Sequence, residues 1–484
     1  MAEKEMILDK IIEIVGDEHV SGDAEDLIAY QKACPIIPAV SGGLVPDYVV
    51  MPGCVEEVQK LVFLANEYMI PIYPYGYGTW FFAIYKPGIV LDLRRLNKII
   101  KIDEVSMTAI IEAGVSQGEL IREARKIGLD APPNLGPGTG SLVSNFASHG
   151  GGSFHVGKDD YIAVEAVLPS GKIIRTGSWG SPVYADTIPY IRYAFGPDIT
   201  GLLRASGGGF GIVTKAIYRL HPLREAEEHC EYAFRDVLSA VEFGIELDNM
   251  GITHYKFGAS RKELLHWICD PPELMFDHAE YESLLSQLPE WVDIIGFSGT
   301  SAQVDMYKNM AAEKAIKGGG EKFELSNKRM NENLNDLAMG CSLVVNRMFT
   351  YPAHFLAGMM SISKMEGFHQ EVMDMIKEYD VRDPFFPDKL LDPPQCIVGI
   401  PFVSNDNHFY EHDIEFDPTD PESLTKFKIF YEAATERLVP KYGLVPIMMN
   451  PVIINMLDPP YADLLRDIKM MLDPNGIAAP GKFL

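Results

Sequence analysis

Between Leu135 and Gly152 the chain reads LGPGTGSLVSNFASHGGG, glycines set among the hydroxyl residues Thr139, Ser141, Ser144 and Ser148. Glycine lets backbone approach a ligand closely. Hydroxyl groups add donors for phosphate oxygens, so the run suits a cradle of oriented amides around a pyrophosphate. A flexible Gly/Ser linker is the plainer reading, but Leu135, Leu142, Val143 and Phe146 are apolar anchors that a solvated linker would lack. Gly136, Gly138, Thr139, Gly140, Ser141, Ser144 and Asn145 are the candidate ligand groups. Two more glycine clusters share this chemistry: the turn Pro74-Tyr75-Gly76-Tyr77-Gly78-Thr79, and Ser206 to Gly211 running on into Ile212 and Val213.

Other constellations say less. His408 and His412 have the i,i+4 spacing of metal ligands, but their segment alternates like a strand and offers no evident third ligand, so no metal is expected. Trp80, Phe81, Phe82 and Tyr85 follow the first glycine turn. They suit either the wall of an aromatic-binding cavity or ordinary core packing.

Elements that would position these clusters are visible in the hydrophobic pattern. Asp47 to Met51 is a short strand, Val55 to Met69 has helical period, and Ile70 to Tyr73 is the strand that feeds the first glycine turn. Further strands are expected at Ile89–Leu93, Ile99–Asp103 and Thr108–Ala113. Ser116 and Glu119 match a capping box, opening a helix that Gly128 ends. After the long glycine run, Ile162–Pro169 and Lys172–Thr176 read as a hairpin, and Gly211–Leu220 alternates as a strand. Beyond Pro222 glycines thin out and longer amphipathic helices begin. There, strand Ile294–Thr300 and a helix opened by Asp420-Pro421 indicate a second α/β unit.

Composition bounds the function. A chain of 484 residues, 47% hydrophobic and 23% charged, is globular and long enough for two or three domains. A net charge of -26 repels nucleic acid and anionic membrane alike. No stretch reaches the length of apolar residues needed to span a bilayer. The six cysteines are scattered with no C-x-x-C spacing, which together with an N-terminus unlike a signal peptide predicts a reduced, cytoplasmic protein.

Taken in order, PDYVVMPGCVEEVQKLVFLANEYMIPIYPYGYGTW, GPGTGSLVSNFASHGGGS, GKDDYIAVEAVLPSGKIIRTG, FGPDITGLLRASGGGFGIVTKAIYRLHP and LDPNGIAAPGKF resemble the FAD-linked oxidoreductases of the vanillyl-alcohol oxidase and p-cresol methylhydroxylase superfamily. The likeness covers roughly residues 46–222 and 463–483. It implies an α+β fold: a two-part FAD-binding domain of the p-cresol methylhydroxylase type with an inserted α/β, ferredoxin-like cap. The boundaries would be 1–222 for the FAD part (its core about 44–222), 223–440 for the cap and 441–484 for the segment returning to the FAD part. FAD would lie with its pyrophosphate at Tyr75–Thr79 and the 136–145 loop, Gly211, Ile212 and Val213 along the adenosine and flavin side, and Lys482 near the ring edge. Flavin N5 would accept hydride from a small, aromatic substrate. Oxygen, a cytochrome or another carrier would reoxidise the flavin, and a homo-oligomer is expected.

HFYEHDIEFDPTDPESLTKFKIFYEAATERLVPKYG is similar to the 4-alkylphenol oxidising branch, which often ties FAD covalently to the cap. On that likeness Tyr351-Pro-Ala-His354-Phe355 makes His354 the candidate attachment residue and Tyr351 the reserve, with an ordinary buried histidine as the equal alternative. Asp159, in His155-Val-Gly-Lys-Asp-Asp160, is the candidate base, with turn-capping the competing role for this pair. One departure is plain. The branch's phenolate-stabilising Tyr-Arg pair is replaced by Val445-Pro-Ile-Met-Met-Asn450, and an unpartnered phenolate in a dry pocket is costly. Arg347, Tyr351, His408 and Tyr410 are the cap groups available instead. Alternative functions are a 2-hydroxy-acid dehydrogenase of the same fold and a flavin subunit that only passes electrons.

Overall fold

The structure is a computed structural model that describes residues 2–30, 44–78, 84–131, 138–149, 160–183, 190–269, 277–338, 353–384, 386–391, 395–398, 407–417, 419–444, 454 and 456–482. Three strands of the first sheet run parallel, Tyr48–Val50 and Ile72–Tyr75 on either side of Ile89–Asp92. Their crossover is the helix Val55–Tyr68, whose Val58, Leu61, Val62 and Ala65 face is fully buried. Each Val or Leu so buried contributes roughly 1.5–3 kcal/mol. Met69, in the left-handed region at φ 54, turns the chain into the next strand.

A second, antiparallel sheet has the strand order Ile99–Asp103, Thr108–Glu112, Ile212–Arg219, Tyr161–Val167, Ile173–Arg175. The hairpin 161–175 closes with Val167 opposite Ile173, as its sequence predicts. The Ser116–Glu119 capping box forms in full and opens the helix Gln117–Arg125. The helix Leu142–His149 packs over strand 212–219, seating Leu142, Val143 and Phe146 in the same core as Ile212 and Val213. Those three apolar residues are the anchors that set this segment apart from a linker.

The third sheet has seven antiparallel strands in the order Glu321–Phe323, Ala226–Phe234, Trp291–Gly299, Tyr255–Ser260, Gln395–Val398, Asn407–Glu415, Ala353–Ser361. Its first four strands, with the helices Val237–Asn249 and Ser301–Lys317, make a β-α-β-β-α-β unit in spatial order 4-1-3-2, the ferredoxin-like arrangement. The other three repeat that pattern in part, with helices Ile362–Glu378 and Pro421–Tyr442. Asp420 caps the latter helix and Pro421 occupies its first turn. All four helices cover one face of the sheet over a core that includes Tyr232, Ile295, Phe368, Ile414 and Phe427.

The opposite, inner face carries Glu227, Tyr255, Ala259, Glu411 and Asp413. It is covered in part by the helix Arg261–Ile268 and in part meets the first unit, where Arg125 reaches Glu227 at 3.8 Å.

Candidate functional site

The first glycine turn, Pro74–Gly78, leaves the end of strand 72–75 and is held by its two tyrosines. Tyr77 Oη donates to Gly114 O at 2.9 Å, and Tyr75 stacks edge-on with Tyr30 at 4.9 Å. Tyr30 in turn donates to Asp92, which Arg94 also grips. Burial and the adjacent Asp92 push the Tyr30 hydroxyl far above its ordinary range, so it stays a donor.

The long glycine run meets this turn from below. Gly118 N donates to Gly138 O at 2.7 Å and Gln117 N to Gly140 O at 2.9 Å. Ser141 Oγ bonds Ala113 O and accepts from Ser144 N at 3.0 Å. These bonds clamp residues 138–145, Thr139 and Asn145 included, between the start of helix 117–125 and strand 212–219. Gly76 then faces Ser144 so closely that a β-carbon at 76 would sit 2.9 Å from Ser144 Cβ and closer still to its hydroxyl. No side chain fits between the two clusters.

The third cluster joins them. Ala205 N and Gly207 N donate to Phe146 O and Ala147 O, and a β-carbon on Gly208 (φ +89) would lie 2.7 Å from Pro74 Cδ. The C-terminal segment closes the ring, with Ile72 N donating to Ile477 O at 2.8 Å and Ala479 N to Ile72 O at 2.9 Å. Lys469, on the helix Pro459–Leu472, donates to Gly209 O, Ala478 O and Asp473, tying the third cluster to the chain end. Half-buried Lys482 lies against Gly207, whose β-carbon would be 3.5 Å from Lys482 Cδ. Removal from water lowers that ammonium to about 8.

Three glycine segments far apart in sequence thus share one small region, with backbone and hydroxyl groups rather than bulky side chains at their junctions. That donor set fits a dinucleotide pyrophosphate. Pro74, Tyr75, Gly76, Tyr77, Gly78, Gly138 to Ser141, Ser144 and Asn145 are the residues that would hold it, with Lys482 near the third cluster; Gly211, Ile212 and Val213 are instead taken up by the sheet, Gly211 against Leu203 and Val167 and the other two buried in the core.

Other predicted residues are placed differently. Tyr410 is fully buried on the helix-covered face, its hydroxyl 2.9 Å from His369 Nδ1 and its ring against Phe368 and His412. His412 lies in the same core, stacked on His369 at 5.1 Å; burial and His369 keep it neutral. His354 pairs with Ile414 in the strand register. His408 pairs with Met360. Asp160 is bound to His221 Nε2 at 2.8 Å where strand 161–167 begins, a structural role. Gly136, Thr79, Trp80, Phe81, Phe82, Asp159, Arg347, Tyr351 and 445–450 lie outside the described residues. The clasp by Lys469 and the Tyr30–Asp92–Arg94 support are absent from the sequence reading, because nothing in a regular amphipathic helix or a lone tyrosine reports a partner remote in sequence.

Fold and cradle together define a nucleotide-binding protein in two units, one with a glycine-built site and one built on a large antiparallel sheet. Residues 46–177 match the family described as FAD binding domain. Over its full length the chain superposes on p-cresol methylhydroxylase with a TM-score of 0.82 at 20% identity, covering 100% of this chain and 97% of that one. It is 29% identical over 244 residues to the 4-cresol dehydrogenase (hydroxylating) flavoprotein subunit of Pseudomonas putida, covering 47% of this chain and 45% of that protein. It is 28% identical over 245 residues to glycolate oxidase subunit GlcD of Bacillus subtilis, covering 49% of each. The chain spans about half the length of the curated relatives it matches. It carries an FAD binding domain and has the fold of the p-cresol methylhydroxylase and vanillyl-alcohol oxidase superfamily, with FAD as its cofactor. Among the described residues no helix is long and apolar enough to cross a membrane.

Proposed function

We propose that this protein is an FAD-dependent oxidoreductase that removes hydride from a carbon of a small, aromatic substrate. The observation that carries the proposal is the union of three glycine clusters into one cradle. When bound, FAD supplies the two-electron acceptor. The chain's own part is to hold the dinucleotide through Pro74–Gly78 and Gly138–Asn145 and to place a cation, Lys482, at the edge of the site. The cap's inner face then shields the substrate. Oxygen, a cytochrome or another carrier takes the electrons onward, and we read the assembly as a homo-oligomer.

Tyr410 serves the helix-covered core in this reading and so cannot replace the missing Tyr-Arg pair. Simple para-alkylphenols are accordingly expected to be poor substrates unless Arg347, Tyr351 or His408 takes over that role. A 2-hydroxy-acid dehydrogenase is the second reading, favoured by the likeness to a glycolate oxidase subunit. Anaerobic mixing of the purified yellow protein with benzylic alcohols, para-alkylphenols and 2-hydroxy acids decides between them, with bleaching of the flavin spectrum as the readout. Bleaching by hydroxy acids alone selects the second reading. A flavin left oxidised by every compound, with an artificial acceptor also inert, would leave only the electron-passing subunit.

A further inference from the structure

The chain that follows strand 173–175 turns a large apolar surface to water. Val183 is 72% exposed, Tyr193 74% and Phe195 68%, and Ile191 and Ile199 stand out beside them. Burial alternates along the loop. Ile191, Tyr193 and Phe195 point out, while Tyr190 packs edge-on to Trp179 and the Arg192 side chain turns in. Single exposed apolar residues are ordinary on any protein surface, whereas a cluster of five large ones marks a contact face.

The loop is fastened so that these side chains stay outside. Ile191 N donates to Ser178 Oγ at 2.9 Å, and Ile191 O accepts from Ser178 N at 2.9 Å. Val183 hangs from the same turn, its N donating to Ser181 Oγ at 3.4 Å while Ser181 N donates to Ser178 O at 3.2 Å. Asp198, next to Ile199, accepts from Arg192 Nη2 at 2.8 Å and from Gly201 N at 2.9 Å. The Arg192 guanidinium lies 5.5 Å from the centre of the Tyr193 ring. Phe195 is held at φ 64, a left-handed backbone that bulky residues seldom adopt. Side chains already fixed in place lose little freedom when covered, which favours association.

A second copy of this chain is the occupant that fits. Two chains of net charge -26 repel one another, so contact favours ground where charge is sparse. Between Tyr190 and Arg204 the charged residues are Arg192, Asp198 and Arg204, and the first two neutralise each other. That leaves an apolar loop with a slight positive balance on a strongly acidic protein. At their exposed fractions the five side chains present on the order of 600 Å² per chain, most of the ~800 Å² that each partner of a stable interface covers. A twofold axis lets this one patch serve both partners.

We propose that loop 190–199, with Val183, is the face through which two copies of this chain join as a twofold dimer. This rests on the homo-oligomer reading above and names its surface.

Sedimentation velocity of the FAD-loaded protein tests it. The parent should be a dimer that tightens as salt is raised, because screening weakens the repulsion between acidic chains. Ile191→Glu and Tyr193→Glu should each raise the dissociation constant at least about a hundredfold. Flavin content should stay unchanged, since neither residue belongs to the cradle. Should a glutamate variant fail to fold, which lost flavin would report, a short bis-maleimide still decides: it should join two Tyr193→Cys chains into a covalent dimer and leave parent chains single. A monomeric parent overturns both the proposal and the homo-oligomer reading. A dimer that loosens with salt, or that both glutamate variants leave intact, overturns the proposal alone. The oxidoreductase reading stands apart from either result, because flavin bleaching reports it.

Discussion

Gly76 and Ser144, sixty-eight positions apart, touch with no room for a β-carbon between them. A Gly76→Val variant must therefore push helix 142–149 away from the first turn and open the cradle. Its FAD affinity is expected to fall by at least about tenfold, seen as a lower flavin-to-protein absorbance ratio after gel filtration. Normal occupancy would separate this contact from cofactor binding.

Lys469 is buried beneath the third cluster, sharing its three donors among Gly209 O, Ala478 O and Asp473. Lys469→Met removes the cation and leaves the Asp473 charge buried alone, although Ile477 N and Ala478 N still donate to it. A loss of about 3 kcal/mol is expected, measured by denaturant unfolding and accompanied by weaker FAD retention. Unchanged stability would show that the chain end is held by its backbone bonds alone.

Glu411 makes stability fall with pH. Its folded carboxyl is raised to about 8 from an ordinary 4.5, so between those values the folded chain keeps a proton that the unfolded chain has lost. The contribution is fully present below the lower value and declines as pH rises to the upper one, by on the order of 1 kcal/mol per pH unit. Glu411→Gln should flatten that slope and be more stable than the parent near the upper value. A parent whose unfolding free energy is level across this window contradicts the assignment.

On the likeness to the oxidase branch, His354 is the candidate for a covalent bond to the flavin. Intact-mass spectrometry under denaturing conditions should then show the chain carrying the added FAD mass, lost in the His354→Ala variant. A bare wild-type chain overturns this, and an adduct that survives His354→Ala moves the bond to another residue.

Local pattern carried much of the architecture. Ser116 and Glu119 announced their capping box, Asp420-Pro421 its helix start, and the alternation at Gly211–Leu220 its strand, because each depends on residues within a few positions. The three glycine clusters were legible as ligand-approach segments for the same reason: glycine's lack of a side chain is a property of the residue itself.

Which groups meet was decided only by the tertiary structure. Alternation alone could not tell which face of the strand Tyr410, a candidate pocket residue, would occupy. The register of strand 407–415 against Ala353–Ser361, and the four helices over one face, sent Tyr410 into a core and Glu411 to the opposite face, beneath the helix Arg261–Ile268. The cluster of Glu263, Glu411 and Asp413 there could not be read from sequence either, since Glu263 lies on a helix nearly 150 residues before Glu411, and no periodicity reports which acids a fold buries together. Composition, caps and turns are set by neighbours along the chain; a site made of convergent loops and one sheet face is set by packing across it.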